Sequence, residues 1–445
     1  MKKRILEVLF IALCPYMCGM AQDMPETIEP LKAPFEMPQL ERPVFPERSI
    51  SIVRTGAIQG TVSTKAIQSA IDRMARKGGG TVIVPAGKWK TGRIQLRSNI
   101  RLQIDEGAEL CFSGDIKDYL PAVLTRNEGV DIYSMGAMIY ADSVENIAVT
   151  GRGRLVSPGY DCEISNRRDG GISDSIEAMP LEGRVFDGRD GGKVFMPVFF
   201  GPVNSRNILV EGVTFERSIF WNIAPVYCEN IIIRGVTVNS FGRGRTDGID
   251  IDSSVNTLVE YTVLDCGDDC FTLKAGRGND GVDRARPTEN VVIRHCRVKR
   301  GVGGLAIGSE TAAGISNVYM HDCDMDSPKF PFYMKTRRPR GGGVSGIFVE
   351  RVRIKNSTGA VFNFDMLGSA RWVGELAQRL PKRPVDKLTP AFSGLTFKDI
   401  TIDKCTKLID AKGLPEQPIE RLVFENIKSP DMRMTMQDVG MVTFR

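Results

Sequence analysis

The chain has 445 residues, 59 Lys and Arg against 54 Asp and Glu, a formal charge of +5, and 42% hydrophobic residues. Such a balance gives a globular protein and no case for nucleic acid as a partner. Two histidines, no Cys-x-x-Cys pair and no phosphate loop leave no expected metal site or cofactor.

Lys2, Lys3 and Arg4 precede an apolar run from Ile5 to Met20, interrupted by Glu7, and Gly19-Met20-Ala21 fits a small-residue cleavage site before Gln22. This reads as a secretory signal peptide, residues 1–21, and predicts a periplasmic or secreted protein. Removing those three cations and Glu7 lowers the charge from +5 to +3. No later segment is apolar enough to span a membrane. Residues 22–48 carry Pro25, Pro30, Pro34, Pro38, Pro43 and Pro46 and predict an extended lead-in packed along the surface. Thr64 is placed to cap a helix whose Ile67, Ala70, Ile71 and Met74 share one face, with Gly78-Gly79-Gly80 ending it.

From there a pattern recurs: VENIAVTG (144–151), SRNILVEGVTF (205–215), CENIIIRGVTV (228–238), VNTLVEYTVL (255–264), TENVVIRHCRV (288–298), ISNVYMHDCDM (315–325), VSGIFVERVRI (344–354) and FSGLTFKDITI (392–402). Between Asn207 and Gly346 the copies lie roughly 23 to 34 residues apart, the length of one solenoid coil. Alternation such as Ile231, Ile233, Val236 and Val238 makes these strands. One coil cannot bury its own apolar face, whereas stacked coils can. The expected fold is all-β, a parallel β-helix occupying residues 49–445 as one domain, with the helix covering its open end. A set of β-sandwiches would not share this internal pattern. The recurring Asn suits a left-handed turn position and an amide ladder. Cys296 and Cys323 fall at one place in the repeat and predict stacked, buried, free thiols.

A second short strand precedes each copy, as in FWNIAP (220–225), DGIDIDS (247–253), CFTLKAG (270–276), GLAIGSE (304–310), FYMKT (332–336) and FNFDM (362–366). With the apolar alternates inward, Asn222, Asp250 with Asp252, Thr272 with Lys274, Tyr333 with Lys335, and Asn363 with Asp365 point outward. Stacked, they predict a polar groove suited to a carbohydrate. Asp247 and the pair Asp268 and Asp269 sit just before two consecutive strands, at one edge of that groove. Asp is a common turn former, but three on adjacent coils point to a site. Crowded carboxylates hold one proton among them, so one can donate to a leaving oxygen while another activates water. The same acids could instead bind calcium for a lyase, with Lys274, Lys335, Arg337 or Arg338 as the base. A non-catalytic glycan-binding solenoid is the third reading.

These motifs resemble the polygalacturonase family, glycoside hydrolase family 28, from about Val53 to at least Leu367. GGGTVIVPAGKWKTGRIQLRSNIRLQIDEGAEL (78–110) is similar to its N-terminal cap. TDGIDIDSS, CGDDCFTLKAG, GVGGLAIGSE and FYMKTRRPRGGG are similar to four motifs in order. The resemblance implies a right-handed β-helix and hydrolysis of galacturonic-acid linkages with inversion. It implies Asp268 as general acid, Asp247 and Asp269 as the pair that positions and deprotonates water, and Lys335 on a sugar carboxylate. The candidate substrate contacts are Lys335, Asp250, Lys274, Asn222, Tyr333 and Arg337, and the expected partner is a pectic oligo- or polysaccharide taken by a monomer.

The sequence also departs from the family. Its Asn-Thr-Asp is Arg245-Thr246-Asp247, its Gly-His-Gly carries Val302, and its Arg-Ile-Lys is Tyr333-Met334-Lys335. The acids are kept and part of the substrate clamp is not. This predicts a neutral leaving sugar such as rhamnose, with Arg337, Arg338 or Arg340 as alternative replacements for the missing arginine. The long segments 160–195 and 371–390 are the candidates for closing one end of the groove and enforcing action from chain ends.

Overall fold

The computed structural model describes residues 24–445, so the leader ending near Ala21 lies outside the described residues. The chain winds into a parallel β-helix. Most strands pair in parallel with their counterparts one coil away, within a sheet that runs from Ser49–Ser51 to Val442–Phe444. One inward column shows why the repeat folds this way. Ile147, Ile208, Ile231, Thr257, Val291, Val318, Ile347, Leu395 and Leu422 stand in unbroken register. All nine are buried, so each coil supplies the lid for the side chain below.

The Asn residues mark the corners. Asn99, Asn146, Asn207, Asn230, Asn256, Asn290 and Asn317 all have φ between 52° and 62°. From Asn146 onward each side-chain amide donates to Oδ1 of the preceding Asn at 3.0–3.2 Å. Asn tolerates this left-handed turn and its amide is both donor and acceptor, so one residue type satisfies both needs. Gly346 and Gly394 take over at the same corner with φ of 61° and 69°. The eight cysteines of the described residues are free, and Cys296 and Cys323 are buried one coil apart.

The lead-in explains a residue that alternation alone does not. In Ile231-Ile232-Ile233 the middle side chain points outward, yet it is buried like its neighbours. It belongs to an outer row with Ala148, Leu209, Leu258 and Val292, onto which Leu31 and Leu40 of the lead-in pack. Beside that row lies a ladder of alternating charge: Glu211, Arg234, Glu260 and Arg294 are paired in register. Arg234 and Arg294 bind Glu260 at 2.8 and 2.7 Å, and their remaining donors reach the carbonyls of Pro25 and Glu29 at 2.8 and 2.9 Å. The lead-in thus caps charges that would otherwise be stranded.

The capping helix spans Thr64–Ala75 and buries Ile67, Ala70, Ile71 and Met74. Its N-cap is Ser63 rather than Thr64, whose hydroxyl instead accepts from the Gly92 amide at 2.7 Å, joining the helix to the coil beneath. The helix stops at Ala75, and Gly80 already opens the strand Gly80–Val84. The segment 160–195 carries short helices, Glu163–Asn166 and Asp174–Ala178, and an antiparallel hairpin, Val123–Asn127 with Val130–Ser134, lies outside the solenoid sheet.

Candidate active site

The strands expected to carry the groove pair in the predicted register. Ile249, Phe271, Leu305, Phe332 and Phe362 form one inward column, and Asp250, Thr272, Ala306, Tyr333 and Asn363 form the alternating outward row. The outward row is not an open surface along its whole length. Asp250, Asp252 and Thr272 are each at most 1% exposed, because a second layer covers them. The hairpin sends Arg126 onto Asp252 at 3.0 Å, with Asp131 at 2.8 Å on the same guanidinium. Lys274 lies over Asp250, Nζ to Oδ1 3.8 Å, and under the Trp221 ring at 4.8 Å. Two expected substrate contacts are corrected accordingly. Asp250 lies beneath the floor. Asn222 is fully buried, donates to the Asp247 carbonyl at 2.8 Å and accepts from Ser240 Oγ at 3.0 Å. Ile223 pairs with Ile249, so Asn222 is level with Gly248, two residues before the row of Asp250.

The remaining candidates converge on one cleft of about 650 Å3. Asp247, Asp268, Asp269, Lys274, Tyr333, Lys335 and Arg337 all line it. Asp247 precedes its strand, Ile249–Asp252, as its inward parity requires. Gly248 donates to the Asp269 carbonyl at 2.9 Å and Val302 to the Asp268 carbonyl at 2.9 Å, which fixes the acidic turn against both neighbouring coils. Val302, standing where the family has His, contributes this backbone amide, and its side chain is not part of the cleft lining.

Each carboxylate has a distinct setting. Asp269 is 1% exposed and accepts from the Gly303 amide at 2.8 Å and from Lys335 Nζ at 2.6 Å. Asp268 is held by the Arg245 amide at 3.0 Å. Burial pushes the Asp268 carboxyl above its ordinary range and the Asp269 charge adds to that, against Lys335 and the Arg245 N–H. Burial raises Asp247 well above the carboxylate range, with Asp250 and Asp268 acting the same way and Lys274 opposing. Burial would lower Lys274, but Glu310 and Asp250 outweigh it and keep the amine charged. Asp269 does the same for Lys335. A site that keeps protons on carboxyls beside fixed cations can donate a proton at neutral pH.

The segments 160–195 and 371–390 do contribute walls to the cleft, but sequence reasoning missed the residues that anchor them, Arg277 among them. Arg245 reaches the Gly170 carbonyl at 2.6 Å and Glu128 at 3.0 Å. Arg277 binds Glu177 at 2.7 Å and Asp174 at 3.3 Å. Together they tie the segment Gly170–Asp174 over one side of the cleft. Arg371 and Trp372, from the short helix Ala370–Val373, stand over Arg337, whose guanidinium lies 5.9 Å from the Trp372 ring. Glu310 is held well ionised by Lys274, Arg340 and Arg337 in spite of burial. Arg337 and Arg340 face the cleft, whereas Arg338 turns away to Glu416 at 2.5 Å. Arg277 and Glu310 follow the ends of their strands, where the period-two rule stops. Their proximity to Lys274 and Gly308 in sequence was the available signal.

Clustered carboxyls at the bottom of a cationic cleft on a parallel β-helix suit the acid/base chemistry of a glycoside hydrolase. Residues 182–365 match the family described as Glycosyl hydrolases family 28. The chain is a polygalacturonase-like glycoside hydrolase. It is 27% identical to a probable polygalacturonase of Vitis vinifera over 85% of this chain and 74% of that one. It is 24% identical to an exo-poly-alpha-D-galacturonosidase of Dickeya chrysanthemi over 83% of this chain, spanning 65% of that protein. Its fold matches the crystal structure of an exopolygalacturonase from Thermotoga maritima with a TM-score of 0.76, at 26% identity and covering 91% of this chain and 93% of that one.

Proposed function

We propose that the protein hydrolyses pectic glycans from chain ends, releasing a terminal galacturonic acid from a neutral leaving sugar by an inverting acid/base mechanism. The observation that carries this is the composition of the cleft at its acids. Lys335, Arg337, Arg340 and Arg277 offer cations for one sugar carboxylate, while the position expected to hold the second carboxylate is Tyr333, a neutral aromatic. Asp268, with its raised affinity for a proton, protonates the glycosidic oxygen. Asp247 orients the attacking water and Asp269, ion-paired with Lys335, deprotonates it from the other side of the bond.

Two features support action from chain ends. The segments Gly170–Asp174 and Gly368–Trp372 both wall the cleft, and two of the similar proteins are named as exo-acting enzymes. A lyase reading loses two of its candidate bases, because Glu310 and Asp250 keep Lys274 charged and Asp269 keeps Lys335 charged. With the N-terminal leader removed near Ala21, the enzyme would act as a monomer in the periplasm or outside the cell.

The test is product analysis on a panel of pectic oligosaccharides with and without a chelator. Saturated galacturonic acid released from the chain end, preferentially where the next sugar is rhamnose, is expected. Unsaturated products, or far faster degradation of polygalacturonate than of rhamnogalacturonan fragments, would overturn the proposal. Asp268→Asn is expected to lower the rate about 1,000-fold.

A further inference from the structure

Beyond the catalytic cleft the same strands continue for further coils and form a second concavity of about 490 Å3, which shares Tyr333 and Asp365 with the cleft. The register shows how the two join. Tyr333 pairs with Asn363, which pairs with Asp410, and Lys335 pairs with Asp365, which pairs with Lys412. Two parallel rows therefore lead from Tyr333 and Lys335 across two strand spacings, about 10 Å, toward the C-terminal coils.

The chemistry changes along these rows. At the junction Phe330 and Tyr333 pack with ring centroids 4.8 Å apart at 42°, both half-buried, offering an apolar face with a phenol at its edge. Such a surface takes the C–H face of a pyranose without asking for charge. One step on, the acids of the concavity are already engaged. Asp365 accepts from the Leu367 and Gly368 amides at 3.1 and 2.9 Å, and Asp410 accepts from Lys407 at 3.0 Å. Lys412 is the exposed cation at the end of the row.

We infer that this concavity is a subsite for the leaving side of the substrate, in which a neutral sugar rests on Phe330 and Tyr333 and the carboxylate of a following acidic sugar meets Lys412. The inference rests on the hydrolase reading above and narrows its substrate to chains in which neutral and acidic sugars alternate.

The experiment compares two substrates on the full chain. One is a galacturonate linked to rhamnose, and the other is the same disaccharide extended by a further galacturonate and rhamnose. The wild type is expected to favour the longer substrate about tenfold in kcat/KM, and Lys412→Met to bring that ratio close to one. Phe330→Ala is expected to raise KM for the disaccharide about tenfold. Because the ratio is taken on one preparation, partial misfolding cancels from it. A wild type without length preference, or an unchanged ratio in Lys412→Met, would overturn the subsite. If neither substrate is cleaved, the hydrolase reading fails by itself, and calorimetry with the tetrasaccharide on Asp268→Asn, with and without Lys412→Met, still decides the subsite. Weaker binding in the double variant supports it, and equal affinity rejects it.

Discussion

Lys335 Nζ lies 2.6 Å from Asp269 Oδ2, and the Gly303 amide holds the other oxygen of the same carboxylate at 2.8 Å. This pair fixes the geometry of Asp269 and sets the field felt by Asp268. The lysine comes from one strand end and the aspartate from a turn two coils earlier, so their meeting is a property of coil stacking.

Lys335→Met is expected to lower kcat about 100-fold. Lys335 draws the Asp268 carboxyl down while burial and Asp269 push it up. Without the cation the acid keeps its proton to higher pH, so the alkaline limb of the residual activity moves upward. A pH profile of kcat checks this, and an unmoved limb would show that Lys335 does not act on Asp268.

Gly303→Ala tests the other hold on Asp269. A Cβ at this position would stand 2.7 Å from Asp269 Oδ1 and 2.8 Å from the Ala306 methyl. The carboxylate must shift to admit it. A loss of kcat of about tenfold to 100-fold is expected, with KM little changed. Wild-type kcat in the variant would show that the Gly303 contact is dispensable.

Asp250→Asn concerns stability rather than turnover. Both carboxyl oxygens of Asp250 are buried without a hydrogen-bond partner, and burial raises its proton affinity well above the ordinary carboxylate range. A carboxyl whose folded pKa is raised contributes its stability below its unfolded pKa, about 3.9, and loses it as pH rises toward the folded value. The amide carries no such penalty. Asp250→Asn is expected to raise Tm by about 2 °C at pH 7, with the gain vanishing near pH 3. Thermal melts across that range decide it, and a lower Tm at pH 7 would contradict it.

Glu260→Gln removes the anion that Arg234 and Arg294 share. The side chains of all three are at most 5% exposed. Removing one member of a buried ionic group leaves the others uncompensated, so a loss of about 3 kcal/mol is expected in denaturant unfolding. A loss below about 1 kcal/mol would mean that Glu211 and the carbonyls of the lead-in satisfy both arginines.

Much of the architecture is written locally. The apolar alternates of Ile249, Phe271, Leu305 and Phe332 stand in the register their sequence spacing predicts, because period-two side chains leave one face to bury and each coil must match the next. The Asn corners follow from the same logic, since each needs a left-handed turn and an amide partner. Asp247, Asp268 and Asp269 stand just before two consecutive strands, at one edge of the groove, and all three line the cleft.

What sequence could not supply is the layer laid over the solenoid. Alternation says that Asn222, Asp250 and Asp252 point away from the core, but not that Arg126 arrives from a distant hairpin, with Lys274 and Trp221 beside it, to cover that face. Burial of an outward residue depends on chain segments with no periodic relation to it. The same holds for Ile232 under the lead-in and for the walls that Arg245 and Arg277 tie over the acids. The sequence determined the coil, its register and the residues available for chemistry, because those obey short-range steric and hydrophobic rules. Tertiary packing alone decided which polar residues stay wet and which carboxyl keeps its proton, because desolvation and nearby charge depend on what closes over each group.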